Sequence, residues 1–227
     1  MCGRFTLTDP DPRLLRTRFS IDESIEIEAE RRYNVAPTDP VLAVRLTKDG
    51  RRDLGRLRWG FVPYYAREGW KGPPMINARV ERLDEVPVFR EALERRRCLI
   101  PADGFYEWRK DERGKQPVWL SLPEGELFAF AGLWSRTKRE DDTYLHSCTI
   151  VTCEPNETVR PIHDRMPVIL PRDEEETWLD PEREPDRLRG LLRPYEAGEL
   201  EVREVGESVN DVREDGPHLL EPPLKLL

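Results

Sequence analysis

A cysteine at position 2, in Met1-Cys2-Gly3-Arg4, stands where its backbone nitrogen can become a free amine. A small second residue permits removal of the initiator Met, and Cys2 would then carry two nucleophiles on adjacent carbons. An α-amine titrates near roughly 7.7–8.0 and a free thiol near roughly 8.5, so both are usable around neutrality. Such a 1,2-aminothiol suits an aldehyde. The amine condenses to an imine, and the sulfur then closes a five-membered thiazolidine in an intramolecular step favoured by proximity. Taken alone, the same four residues also fit a cysteine in a frayed terminus.

Three other polar residues stand in segments that can position chemistry. Asn77, in PPMINARVE (73–81), offers an amide donor and acceptor of fixed geometry, suited either to orienting a nucleophile or to capping a turn. Glu107 lies between Tyr106 and Trp108 in RRRCLIPADGFYEWRK (95–110). Strand alternation puts the two aromatics on one face and Glu107 on the other, where it is either a carboxyl of raised pKa that can act as a general acid or an outward, solvated one. His163, in RPIHDRMPVIL (160–170), either shuttles protons near neutrality or is a loop histidine with a satisfied hydrogen bond. His146 and His218 take the ordinary structural reading. In RRYNVAPTDP (31–40), Asn34 is open to a structural or a binding role, while Pro37 and Pro40 shape a loop rim.

These residues need elements to hold them. DPRLLRTRF (11–19) predicts a short helix with an Asp near its start. VLAVRLT (41–47) and LGRLRWG (54–60) flank a turn containing Asp-Gly and predict a hairpin. Val86, Phe89 and Leu93 recur at helical spacing in 86–97. FYEWRK (105–110), PVWLSL (117–122), LFAFAGLWS (127–135) and YLHSCTIVT (144–152) predict an antiparallel meander. RMPVIL (165–170) and LEVREV (200–205) are further strands, with short helices at 173–179 and 185–192 and an irregular tail from about 221 to 227. No linker divides the chain, so residues 1–227 are expected to form a single α+β domain dominated by antiparallel sheet, with short flanking helices.

Composition narrows the function classes. The 227 residues are ample for a real core, and 36% are charged. The first residues contain no apolar signal stretch, and the longest apolar run, near 127–134, is too short to cross a bilayer, so a cytoplasmic protein with no membrane partner is expected. Cys2, Cys98, Cys148 and Cys153 form no C-x-x-C pair, which predicts free thiols and no zinc site. Net charge is −8, but residues 1–120 hold 24 Lys and Arg against 20 Asp and Glu, and residues 121–227 hold 13 against 25. A basic first half can meet phosphate inside an acidic protein, or its arginines can simply solvate that half.

Taken in order, MCGRF, YNVAPT, WGFVP, INARVE, RCLIPADGFYEW, FAFAGLW, IVTCEPN, IHDRMPVIL and the late VGESVNDVRE resemble the SOS-response-associated peptidase (SRAP) family over nearly the whole chain. The resemblance implies a barrel-like fold and a role in shielding abasic sites in single-stranded DNA, by crosslinking Cys2 to the ring-opened deoxyribose. It implies that Asn77 positions the terminus and sugar, that Glu107 assists ring opening and Schiff-base proton transfers, and that His163 is the other acid/base group. Arg4, Arg79 and Arg82 are the implied phosphate contacts, with Asn34 and Pro40 beside them. The family places bulky aromatics after the WG-x-x-P turn to stack on bases. Here the turn is followed by Tyr64-Tyr65-Ala66, so Tyr65 is the best positional match and Trp70 a substitute. Neither cofactor nor metal is implied, and a monomer is expected. Two other functions remain open: a thiol peptidase using Cys2 and His163, and a noncovalent binder of single-stranded or modified DNA.

Overall fold

The structure is a computed structural model that describes residues 2–66, 70, 72, 74–112 and 114–223. In chain order it contains β1 (Phe5–Leu7), α1 (Pro12–Phe19), β2 (Arg32–Val35), β3 (Pro40–Leu46), β4 (Arg52–Trp59), β5 (Asn77–Arg79), α2 (Pro87–Arg95), β6 (Arg97–Ala102), β7 (Gly104–Asp111) and β8 (Gly114–Ser121). Then come β9 (Phe128–Lys138), β10 (Tyr144–Cys153), β11 (Met166–Pro167), β12 (Ile169–Leu170), α3 (Glu175–Leu179), α4 (Pro185–Leu191) and β13 (Glu201–Glu204). The expected loss of Met1 concerns a residue outside this set, as does the tail beyond 223.

Local sequence explains most of these boundaries. Asp11 caps α1, its carboxylate accepting from the N–H groups of Arg13 and Leu14, and Pro12 starts the helix where a missing N–H costs nothing. Gly50, at φ +80°, turns the chain between β3 and β4, which then pair in antiparallel register from Pro40–Arg58 to Leu46–Arg52. In α2 the predicted stripe buries Phe89 and Leu93, together with Val88 and Ala92.

The strands divide between two sheets. In one, the order is β13-β8-β7-β1-β2. In the other, β10-β4-β3-β6-β9 close on themselves through the β9–β10 pairing and form a barrel. The fold is thus α+β, sheet-dominated, a single barrel-containing domain with short helices, as expected, but the meander is a correction. β7–β8 and β9–β10 are each antiparallel pairs, yet β8 and β9 belong to different sheets. The predicted strand at 165–170 is also two pieces, β11 on β10 and β12 on β9, with Val168 between them donating its N–H to Val151 O and accepting from Ala131 N–H. One edge of β10 carries two parallel neighbours in succession, β4 at Ser147–Cys148 and β5 at Ile150–Thr152.

Phe5 on β1 knits the sheets together. Its ring meets Trp59 of β4 at 5.2 Å and Phe130 of β9 at 5.7 Å, both edge to face, and Phe105 of β7 reaches the same Phe130 at 6.1 Å. The face of β7 carrying Phe105 therefore packs on the barrel. Its other face carries Tyr106 and Trp108, which share a second apolar cluster with Trp119, Val205, Val209 and Leu219.

Candidate active site

Cys2 is delivered by β1. That strand pairs with β7 through Phe5–Phe105 and Thr6–Gly104, and the ladder continues toward the terminus with Tyr106 N–H donating to Arg4 O at 3.0 Å. The residue before Arg4's neighbour is thereby drawn inward: Cys2 is fully buried, its thiol 3.9 Å from Arg4 O. From β5, Asn77 Nδ2 donates to Cys2 O at 2.9 Å. Its other amide atom, Oδ1, is buried and has no partner among the described residues. An orphaned acceptor at that point suits an incoming N–H or O–H.

Alternation on β7 sends Glu107 to the face of Phe105, toward the barrel, and the carboxyl is 2% exposed. The outward, solvated alternative is thus excluded. Burial, joined by the charge of Asp164, raises the Glu107 carboxyl to about 7. The Cys2 thiol is pushed far above its ordinary value, first by burial and then by the Glu107 charge. Burial thus favours the neutral S–H of Cys2 over its thiolate. Cys98 and Cys153 are raised to about 12 by burial, and Cys148 is raised too. All four cysteines are free.

His163 sits in the turn before β11, its backbone N–H bonded to Val159 O at 2.9 Å. Nδ1 accepts from Arg165 N–H at 3.0 Å and also lies 2.9 Å from Asp164 Oδ1. The two contacts belong to different protonation states: the neutral ring with hydrogen on Nε2 accepts from Arg165, whereas a ring protonated at Nδ1 donates to Asp164. Burial lowers the pKa of His163, which favours the neutral form. Four residues from β1, β5, β7 and the turn before β11 thus supply a thiol, an amide, a carboxyl poised near neutrality and a neutral imidazole.

The implied DNA-contact residues fare unequally. Arg79 is exposed and two residues beyond Asn77 on β5, on the same side of the strand. Arg4 is half-buried, with burial lowering its pKa against the charge of Asp39. Arg82 is exposed but paired with Glu85 at 3.1 Å. Tyr65 is 65% exposed beside Tyr64, and Trp70 is 37% exposed. The base of their loop is tied to the barrel, Val62 N–H donating to Ser147 Oγ and Thr137 Oγ1 to Val62 O. Pro40 is exposed at the start of β3. Asn34 does not join the surface: it is fully buried, and its amide nitrogen is shared among Val209 O, Asp211 O and Glu214 O at 2.9–3.3 Å. Its amide clamps the C-terminal turns and offers nothing to a phosphate.

Sequence reading missed Glu81 and Arg165. They form a two-pronged ion pair at 2.6 and 3.0 Å, and Arg165 also donates to Thr152 O. Both stand inside segments already singled out, INARVE and IHDRMP, but nothing in one sequence pairs them. Among the described residues no group of three or more His, Cys, Asp or Glu is placed to hold a metal, and no helix is long and apolar enough to cross a membrane.

A closed barrel braced by a second sheet, with a buried cysteine at residue 2 whose carbonyl is held by Asn77 and whose thiol feels the charge of Glu107, is the frame of the candidate site. The family model for SOS response associated peptidase (SRAP) matches residues 1–212, and the chain belongs to that family. It is 44% identical over 225 residues to abasic site processing protein YoqW of Bacillus subtilis, covering 97% of this chain and 99% of that protein. It is 29% identical to abasic site processing protein YedK of Escherichia coli over 98% of this chain and 100% of that one. Abasic site processing protein HMCES of Gallus gallus is 32% identical, covering 84% of this chain and 66% of its own. Among solved structures, a Bacteroides thetaiotaomicron protein superposes with TM-score 0.86 at 22% identity, covering 98% and 100% of the two chains, a likeness in fold. A Bordetella bronchiseptica protein gives 0.76 at 27% identity over 90% and 99%.

Proposed function

We propose that this chain captures abasic sites in single-stranded DNA as a covalent adduct on Cys2, once Met1 is removed. The observation that carries the reading is the hydrogen bond from Asn77 to Cys2 O, which fixes the terminal residue beside the buried Glu107. Its support also includes three relatives whose names describe abasic site processing.

The order of steps follows from the protonation states. A neutral thiol leaves the α-amine, with an ordinary value near roughly 7.7–8.0, as the first nucleophile. Glu107, still partly protonated near neutrality, donates a proton to the sugar ring oxygen as the C1′–O4′ bond breaks, and the C1′ hydroxyl gives up its proton to solvent to leave the aldehyde. The amine adds to C1′, and loss of one water gives the imine. The sulfur then attacks the imine carbon. Its proton passes to the nitrogen, directly or through Glu107 or His163, and the thiazolidine closes with no further loss of atoms. Arg4 and Arg79 meet flanking phosphates, and Tyr65 with Trp70 stacks on bases. The protein acts as a monomer on its DNA partner and needs no cofactor.

A thiol peptidase fits less well. Its nucleophile would be a thiolate, which burial of Cys2 disfavours. The test is incubation with an abasic single-stranded oligonucleotide, followed by denaturing electrophoresis and intact-mass spectrometry. An adduct on residue 2, with the mass of the sugar-linked strand less one water and with Met1 absent, is expected. An uncleaved amino-terminal extension ties the nitrogen into an amide, so it should abolish the adduct although the thiol remains. Efficient crosslinking by the extended form would sink the proposal.

A further inference from the structure

INARVE contributes two residues to the site, four positions apart. Asn77 opens β5 and holds the carbonyl of Cys2. Glu81 lies in the single helical turn that follows β5, Val80–Arg82, and grips Arg165 through both guanidinium prongs. Arg165 is 13% exposed on its side chain, so the grip is made by a largely buried cation, and its third bond goes to Thr152 O on β10. The hydrogen bonds from Arg165, helped by its charge, in turn hold the Glu81 carboxyl below the usual range. The backbone N–H of this same Arg165 donates to His163 Nδ1. The segment 77–82 is therefore attached at one end to the nucleophile and at the other to the loop carrying the imidazole.

We infer that Glu81 is a positioning residue: by anchoring Arg165 it keeps the Arg165 N–H on His163 Nδ1, so that the ring hydrogen stays on Nε2. Asp164 Oδ1 lies 2.9 Å from the same Nδ1, and Asp164 is almost fully exposed. If Arg165 is released, the loop loses its side-chain anchor and Asp164 draws a proton onto Nδ1. The imidazole then presents the opposite tautomer to the substrate. A buried Arg fork engaged by a carboxylate is the interaction best able to prevent this, since two parallel charge-assisted bonds fix orientation as well as distance. Glu81 does not touch the reacting atoms. The inference rests on the reading of His163 as a proton-transfer group in abasic-site capture.

Glu81→Gln tests it, because the side chain keeps its shape, loses its charge and lies 56% exposed. In protein labelled with nitrogen-15 at histidine, with the His163→Gln variant used for assignment, long-range nitrogen–proton spectra distinguish the two tautomers. The intact protein should show His163 with an unprotonated Nδ1 and a protonated Nε2. Glu81→Gln and, independently, Arg165→Lys should move the hydrogen toward Nδ1 and slow crosslinking by about tenfold, measured on protein that circular dichroism shows to be folded. An unaltered His163 tautomer in both variants overturns the inference, whatever happens to the rate. If the unsubstituted protein forms no adduct at all, the proposed function fails instead, and the tautomer comparison still decides the role of Glu81.

Discussion

Glu107 and Cys2 are both buried, and the Glu107 charge raises the Cys2 thiol. At most one negative charge is stable there near neutrality, and it is carried by Glu107, because the thiol is raised far above the carboxyl. Two measurements follow at the level of this residue. The first is the pH–rate profile of crosslinking. The reactive form needs a protonated Glu107, at about 7, and a neutral amine, near roughly 8, so the rate passes through a maximum between these values. Glu107→Gln should lower the maximal rate by about 10²-fold and remove the decline on the alkaline side, leaving a rise that tracks the amine. A variant retaining both the full rate and the alkaline decline would show that the acid is another group. The second is stability. Burial raises the folded-state value of Glu107 above that of the unfolded chain, so the folded protein binds this proton more tightly. The stabilisation is fully present below the ordinary carboxylate range and is lost as pH rises through about 7. Denaturant titrations of wild type and Glu107→Gln should therefore converge at low pH, with the wild type losing stability relative to the variant between pH ~4.5 and ~7. The opposite trend would mean that Glu107 is stabilised as a carboxylate.

The terminus reaches this space because β1 is seated on β7, and that seating has its own requirement. Gly104 pairs with Thr6 of β1, and a Cβ at Gly104 would lie 2.2 Å from the indole nitrogen of Trp119. The indole N–H donates to Thr6 Oγ1 at 3.1 Å, and Thr6 donates in turn to Asp103 Oδ1. One added methyl thus presses a large buried ring against the strand that carries Cys2. Gly104→Ala should cost about 1–3 kcal/mol in chemical denaturation, and it should slow crosslinking in the fraction that remains folded. Full stability would show that Trp119 can move without disturbing β1. Alternation and turn chemistry made the strands themselves legible: 105–110, 117–122, 127–135 and 144–152 each correspond to a strand, and Asp49-Gly50 marks the hairpin. Alternation also separated Glu107 from Tyr106 and Trp108. It gives two faces, however, without telling which one another sheet will cover. Glu107 reads equally well as solvated until Phe105 beside it is seen against Phe130. Asn34 failed in the converse way, since an amide binding three main-chain carbonyls some 175 to 180 residues away leaves no local trace.

At the scale of the whole molecule, the division of strands between a barrel and a second sheet could not be read from spacing, because β10's two parallel neighbours and the β3–β6 and β6–β9 pairings join segments far apart in the chain. The assembled shape has a direct consequence for substrate. Cys2 is fully buried, so on the proposed function a deoxyribose would have to leave its helical path and enter the protein before either nucleophile could reach C1′. A single strand can do so by rotating one nucleotide, and Tyr65 and Trp70 are exposed to take up the stacking its neighbours lose. A paired duplex must also break stacking on both strands, a cost of a few kcal/mol. Net charge does not prevent binding, since the contact is local: Arg79 is exposed beside the site and Arg4 lies half-buried at its edge. Each single-strand phosphate neutralised should contribute a slope of about −0.7 in log affinity against log salt. Gel-shift titrations at several salt concentrations, with an intact single strand to prevent capture, should therefore lose about that much slope in Arg79→Ala, and little in Arg82→Ala because Glu85 already compensates Arg82. With abasic substrates, capture of a single strand or a single-strand/duplex junction should be at least tenfold faster than capture of the fully paired duplex, which reports roughly 1.4 kcal/mol of unstacking. Equal rates on the paired duplex, together with an unchanged salt slope in Arg79→Ala, would mean that the sugar reaches Cys2 without leaving the helix and that the phosphate path lies elsewhere on the protein.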